Sequence, residues 1–212
     1  ILTSGYDRCW GEGDGTKPPP GTFKSLSAGG DELRGVTCGV RADGPQTDRY
    51  LTGRTNLACW GADGLASVPS GDFQSVNVST GGLFLSACAV RTDGTLACWG
   101  GDLETPPGRF LSVDVGGFGA CAVMVDGTAV CWGWNNREGA LAPPGGIFSE
   151  VATEGWEACG LRADGSLECW GQGSSPGTLT GTFKALSLGM TQKCGLQEDG
   201  TLRCSPGPRP PS

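Results

Sequence analysis

One stretch constrains this chain more than any other: Cys88–Gly100, CAVRTDGTLACWG, because it recurs. Near-copies stand at Cys121–Gly133 and Cys159–Gly171, and a shorter one at Cys194–Cys204. An interrupted copy runs from Cys38 to Gly61, and a truncated one ends at Cys9-Trp10-Gly11. Self-similarity at a spacing of tens of residues marks a repeat architecture. Asp93-Gly94 punctuates two short runs of small, β-branched and apolar residues, as in a hairpin. Gly94 suits the left-handed third position of a three-residue loop, Thr92-Asp93-Gly94. That register sets Arg91 opposite Thr95, Val90 opposite Leu96, and Cys88 opposite Cys98. The cysteines then meet at a non-hydrogen-bonded site, with Cα atoms roughly 4.5 Å apart and within disulfide range. The same register pairs Cys38 with Cys59, Cys121 with Cys131, Cys159 with Cys169 and Cys194 with Cys204.

A second landmark is a strand signal led by Phe: FKSLSAGG from Phe23, FQSVNVST from Phe73, FLSVDVGG from Phe110, FSEVATEG from Phe148 and FKALSLG from Phe183. Its apolar residues alternate, as a short strand requires. Connectors rich in Gly and Pro follow each CWG. Pro confines any further strand there to a sheet edge. The expected organisation is one domain over residues 1–212, with a partial unit over 1–22 and units at 23–72, 73–109, 110–147, 148–182 and 183–206. Residues 207–212 form a Pro-rich tail, a composition that holds an extended shape at low entropic cost.

Composition matters for where such a chain functions. Eleven cysteines in 212 residues, with Ile, Leu, Val and Phe scarce, describe a fold that leans on covalent staples as well as on apolar burial. Closing a loop of about 11 residues contributes roughly 2–3 kcal/mol in the chain-entropy model. This cysteine usage points to a secreted, periplasmic or cell-surface setting. The first residue, Ile1, fits a signal peptide already removed. No apolar run is long enough to insert across a bilayer as a helix. A net charge of −7 with only 15 Lys+Arg argues against nucleic acid and anionic membranes as partners.

Cys9 is the odd cysteine. Thr3–Cys9 lines up with Thr92–Cys98 without gaps, which puts a partner two places before Ile1. The pattern leaves open an upstream partner, a buried free thiol, an intermolecular disulfide, or a blade completed by another subunit. Two units carry insertions: Phe to Cys spans 15 residues in the first two units and 11 in the other three. The first unit, whose longer span contains Asp31, Glu32 and Arg34, also holds Pro45–Thr55, with Asp48, Arg49, Tyr50 and Arg54. Insertions in repeat proteins map to loops and often to a binding face, although a surface loop is entropically cheap to tolerate. Trp134 and Trp156 lie outside the repeated WG positions, as irregular packing residues or as exposed platforms for a sugar or a protein.

The pattern of Phe-led strand, CX9C hairpin with Asp-Gly, and WG resembles the RCC1-like β-propeller repeat. It is most similar to the cysteine-bearing type of secreted bacterial proteins and to the crinkly-type repeats of plant receptor-kinase ectodomains. The resemblance implies an all-β, disulfide-stapled propeller of five complete blades plus a partial N-terminal one, six-bladed if completed. It also implies Trp10, Trp60, Trp99, Trp132 and Trp170 as fillers between blades. Such rings host many tasks, so the resemblance does not itself assign one.

Little here favours catalysis. The chain has no His, which removes Ser-His-Asp and Cys-His nucleophilic sites and imidazole metal sites. The cysteines are spaced for disulfides rather than for zinc. The recurring Asp-Gly at Asp43, Asp93, Asp126, Asp164 and Asp199 follows turn chemistry better than calcium chemistry. The sequon Asn77-Val78-Ser79 sits inside a strand signal, a poor acceptor site. The expectation is a non-enzymatic extracellular scaffold with no catalytic residues, cofactor or metal, which self-associates as an oligomer or filament. The alternative is a monomeric ring that recognises another extracellular protein or a glycan through its rim loops.

Overall fold

The computed structural model describes residues 18–30, 35–45, 54–61, 65, 67–79, 85–101, 103–134, 141–171, 179–189 and 192–205. Each repeat folds as one three-stranded antiparallel sheet, and there are five. The first holds β1 (Phe23–Gly30), β2 (Gly35–Arg41) and β3 (Leu57–Gly61). The second holds β4 (Phe73–Val78), β5 (Ser86–Arg91) and β6 (Leu96–Gly100). The third holds β7 (Phe110–Val115), β8 (Gly119–Met124) and β9 (Ala129–Gly133). β10 (Phe148–Glu154), β11 (Glu157–Arg162) and β12 (Leu167–Gly171) make the fourth, and β13 (Phe183–Leu188), β14 (Lys193–Gln197) and β15 (Leu202–Cys204) the fifth. Among the described residues the connectors add no named fourth strand, only an isolated parallel bridge between Thr55 and Gly71.

The hairpin register is the one the repeat predicts. Val90 faces Leu96 and Cys88 faces Cys98. Gly94 has φ +88°, and its N–H donates to the Arg91 carbonyl at 2.9 Å. Asp93 Oδ1 accepts from both the N–H and the hydroxyl of Thr95, at 2.9 and 2.7 Å. Asp126, Asp164 and Asp199 make the same turn with Thr128, Ser166 and Thr201. These hydrogen bonds hold all four exposed carboxyls below the usual aspartate range. Five disulfides close across the strands with Cα atoms 4.0–4.1 Å apart, each between the cysteines paired by register.

The blades stack in chain order through one repeated contact. Val90, Leu96 and the Cys88–Cys98 disulfide form a flank on the second blade, and Phe110, Val113 and Val115 of the third lie against it. Val40, Leu57 and Cys38 meet Phe73, Val76 and Val78 in the same way. The pattern continues with Val123 and Cys121 under Phe148 and Val151, and with Leu161 and Cys159 under Phe183 and Leu186. The disulfides are therefore packing surfaces as well as staples. Trp99 and Trp132 pack beside these interfaces, and Trp170 within the third; Trp10 lies outside the described residues. Every Phe-led strand also shifts register just after its Phe, a bulge that turns the following residue outward. This explains the exposure of Leu111, an apolar residue at that position.

Candidate functional site

Three surfaces have the chemistry to act. The first is the axis. The five Phe-led strands line a channel of about 270 Å³, bordered by Ser27, Asn77, Asp114, Glu150, Glu154 and Ser187, among others. Four residues after its leading Phe, each of the first three blades presents a polar side chain that accepts from the next blade's main chain. Ser27 Oγ takes the Val78 N–H at 3.0 Å, Asn77 Oδ1 the Val115 N–H at 2.8 Å, and Asp114 Oδ2 the Thr153 N–H at 2.7 Å. The fourth blade has Ala152 there, and Glu150, two places earlier, accepts from the Leu186 main chain instead. These bonds stitch neighbouring inner strands that share no sheet.

Asp114 pays no cation partner among these neighbours. Burial is the main reason that its carboxyl is pushed up to about 6; bonds from Thr153 and Asn77 act against this, and Glu154 adds to it. Glu150 is raised too, first by burial and then by Asp114. Asn77 Nδ2 donates to Asp114 Oδ1, so both ends of the Asn77 amide are committed. The sequon asparagine is thus engaged at both ends of its amide within the fold.

The second surface is the rim. Trp156 is 44% exposed in the short turn between β10 and β11, and it stacks on Phe118 of the third blade, with ring centroids 5.9 Å apart. Glu154 Oε1 accepts the N–H groups of Gly117 and Gly155 beneath this pair. Trp134 is 57% exposed. The insertion residues Asp31, Glu32, Arg34, Asp48, Arg49 and Tyr50 lie outside the described residues, as does Cys9. Arg54 is exposed, and its carbonyl accepts from the Gly71 N–H at 2.9 Å. The anchors of the two insertions are informative. Gly30 and Gly35 flank one end of β2, whereas the Pro45–Thr55 insertion follows its other end, roughly 20 Å away along the strand. The described anchors of the two insertions therefore lie at opposite ends of β2.

The third surface is the trailing flank of the fifth blade. Its residues, Leu196, Leu202 and the Cys194–Cys204 disulfide, are the counterparts of the covered flanks. Here the cover is lacking among the described residues: Leu202 is 70% exposed, whereas its counterparts Leu57 and Leu96 are 2% and 6%. Ser187, at the stitch position, is exposed as well. On the opposite side of the arc, Ala28 is exposed and Leu26 half-buried, where Val76 and Val78 are buried.

The cysteine-carboxylate group Glu157, Cys159 and Cys169 does not fit a metal. Both sulfurs are joined in a disulfide, and Glu157 pairs with Lys193. Sequence reading also missed the arginines. Arg41, Arg91 and Arg162 lie over Phe23, Phe73 and Phe148 at 5.3, 4.8 and 4.5 Å from the ring centroids. Each also donates to a connector carbonyl, that of Pro20, Ser70 or Gly145, and so ties the Pro-rich passage to its blade. The repeated Arg was the available signal.

Solved structures share this architecture. The ectodomain of the Physcomitrella patens receptor kinase CR4 matches with 27% identity and TM-score 0.66, over 87% of this chain and 50% of that one. The CRINKLY WD40 ectodomain of the Arabidopsis thaliana receptor kinase ACR4 matches at 18% and 0.52, over 87% and 96%. Prp20p of Saccharomyces cerevisiae matches at 13% and 0.53, over 80% and 55%. This chain has the fold of an RCC1-like β-propeller. It spans half the length of the moss ectodomain. No family model matches the propeller's sequence, and no curated protein does. Ectodomain likeness and five disulfides both fit an extracellular propeller.

Proposed function

We propose that this propeller is a non-enzymatic extracellular scaffold that associates with itself, with a filament as the extended form. The observation that carries this reading is the flank of the fifth blade, which no described residue covers. Four equivalent flanks in the same molecule are sealed by a neighbouring strand. Leaving Leu202 in water forgoes roughly 1.5–3 kcal/mol that burial would supply. A second unsealed surface, at Leu26 and Ala28, lies at the other end of the arc. Two unlike open ends make a head-to-tail contact, and such contacts propagate unless their rotation closes a ring. The channel carboxylates are taken up in stitching the blades, which supports a structural rather than a catalytic reading of them. Light scattering on the intact chain and on Leu202→Glu tests the proposal. The parent chain is expected to exceed its 21.6 kDa monomer mass, and the variant to fall back to it.

A monomeric recognition ring is the second reading, favoured by the exposed Trp156 stacked on half-buried Phe118. Stacked aromatic faces bordered by a carboxylate suit a sugar ring or a protein side chain. The yeast neighbour is described by its binding to Gsp1p and histones, which supports protein recognition as a use of such rings. Binding of glycan or protein that is lost in Trp156→Ala, without change in mass, favours this reading.

A further inference from the structure

We infer that the Phe118–Trp156 pair is a binding site for an arginine side chain presented by a protein partner, the guanidinium lying over Trp156 beside the acidic axial channel. The inference rests on the recognition reading above and names its ligand. The two tryptophans outside the repeated WG positions come to one rim. Trp156, 44% exposed in the turn between β10 and β11, stacks on Phe118 in the turn between β7 and β8, the rings inclined by 28°. Trp134 follows Gly133, and Gly133 pairs with Gly119, so Trp134 leaves the third blade at the end where Phe118 enters it. The platform is fixed before a ligand arrives. Glu154 Oε1 accepts from Gly117 in one turn and from Gly155 in the other, at 3.3 and 3.1 Å. The two turns also meet at the main chain, where a Cβ on Gly116 would lie 2.7 Å from the Thr153 carbonyl oxygen. Such a face binds without the ordering cost that a mobile loop carries.

Charge selects the occupant. The faces of aromatic rings are negative and attract cations. Glu154 joins the ring pair to the channel, which it lines with Asp114 and Glu150, and no Lys or Arg is among the described residues lining it. The chain as a whole carries a net charge of −7. This field favours a cation over a neutral sugar. The molecule also shows the same arrangement filled: Arg162 lies 4.5 Å from the Phe148 ring centroid, and its Nε donates to Glu168 at 2.9 Å. Among the described residues no Lys or Arg lies over Phe118 or Trp156. Arginine fits better than lysine, because its planar, weakly hydrated guanidinium stacks on aromatic faces.

A capped peptide with a single arginine between glycines, and its counterpart with glutamine in that place, are titrated into the isotope-labelled full chain. Nuclear magnetic resonance follows the Trp156 indole and the Gly117 and Gly155 amides. Saturable shifts are expected with the arginine peptide and none with the glutamine one. Trp156→Ala should weaken binding about tenfold. Glu154→Gln, which keeps an oxygen acceptor for both turns but removes the charge, should weaken it about threefold or more. Unchanged melting temperatures verify that both variants keep the fold. Equal binding of the two peptides, or binding indifferent to Trp156→Ala, overturns the inference. A chain that ignores the arginine peptide but binds a neutral glycan through Trp156 also overturns it and leaves the recognition reading standing. A chain on which neither peptide nor glycan shifts Trp156 overturns both.

Discussion

Asn77 and Asp114 are joined across two blades: the Asn77 amide donates to the Asp114 carboxylate at 2.8 Å, and the same side chain accepts the Val115 N–H. Asp114 passes the link on to Thr153 of the next blade at 2.7 Å. A continuous polar thread therefore runs along the inner strands from the second blade to the fourth. Its one ionisable member holds its proton more tightly than a free aspartate.

The sign of the resulting pH dependence follows from linkage. The Asp114 carboxyl is raised from 3.8 to about 6 in the fold, so its contribution is full below about 3.8 and is lost as pH rises through about 6. Glu150 shifts the same way. The four turn aspartates are shifted downward, so their contribution is present at higher pH and lost as pH falls below the ordinary aspartate value. Melting temperature is expected to peak between these limits and to decline from pH 5 to pH 8. Asp114→Asn should flatten the decline on the alkaline side and leave the acid side in place. An unchanged profile in that variant contradicts this assignment.

Disulfide accessibility differs sharply around the arc. Cys38, Cys88 and Cys121 are fully buried, and Cys159 is 2% exposed, each beneath the following blade. Cys204 is exposed. Mild reduction followed by alkylation should label Cys194 and Cys204 before the other four pairs, because exchange needs access for the attacking thiolate. Mass spectrometry of peptides reads the order. A sealed partner on the fifth flank should protect this pair.

Phe110 is buried at 1% exposure against a neighbouring blade's disulfide. Phe110→Ala is expected to cost about 3–5 kcal/mol in denaturant unfolding. Leu111→Ala, next to it but turned outward by the bulge at 53% exposure, should stay within about 0.5 kcal/mol.

The blade was legible because its determinants are local. Asp93-Gly94 sets the turn, the turn sets the register, and the register places Cys88 on Cys98. The Phe-led strand was legible from alternation. The polar thread was not, since Ser27, Asn77 and Asp114 share a position and a job but no residue type. It is visible only when neighbouring blades are set side by side. The covering of the first four disulfides by the next Phe was hidden for the same reason, being a contact between repeats. The insertions were legible as candidate loops because they break the repeat, and only the strand order places their described anchors at opposite ends of β2.

Sedimentation velocity of the intact chain, across a hundredfold range of concentration and with and without reductant, tests the scaffold account most directly. The account predicts a weight-average mass that climbs with concentration and falls to the monomer in Leu202→Glu. A single monomeric boundary at every concentration would contradict it.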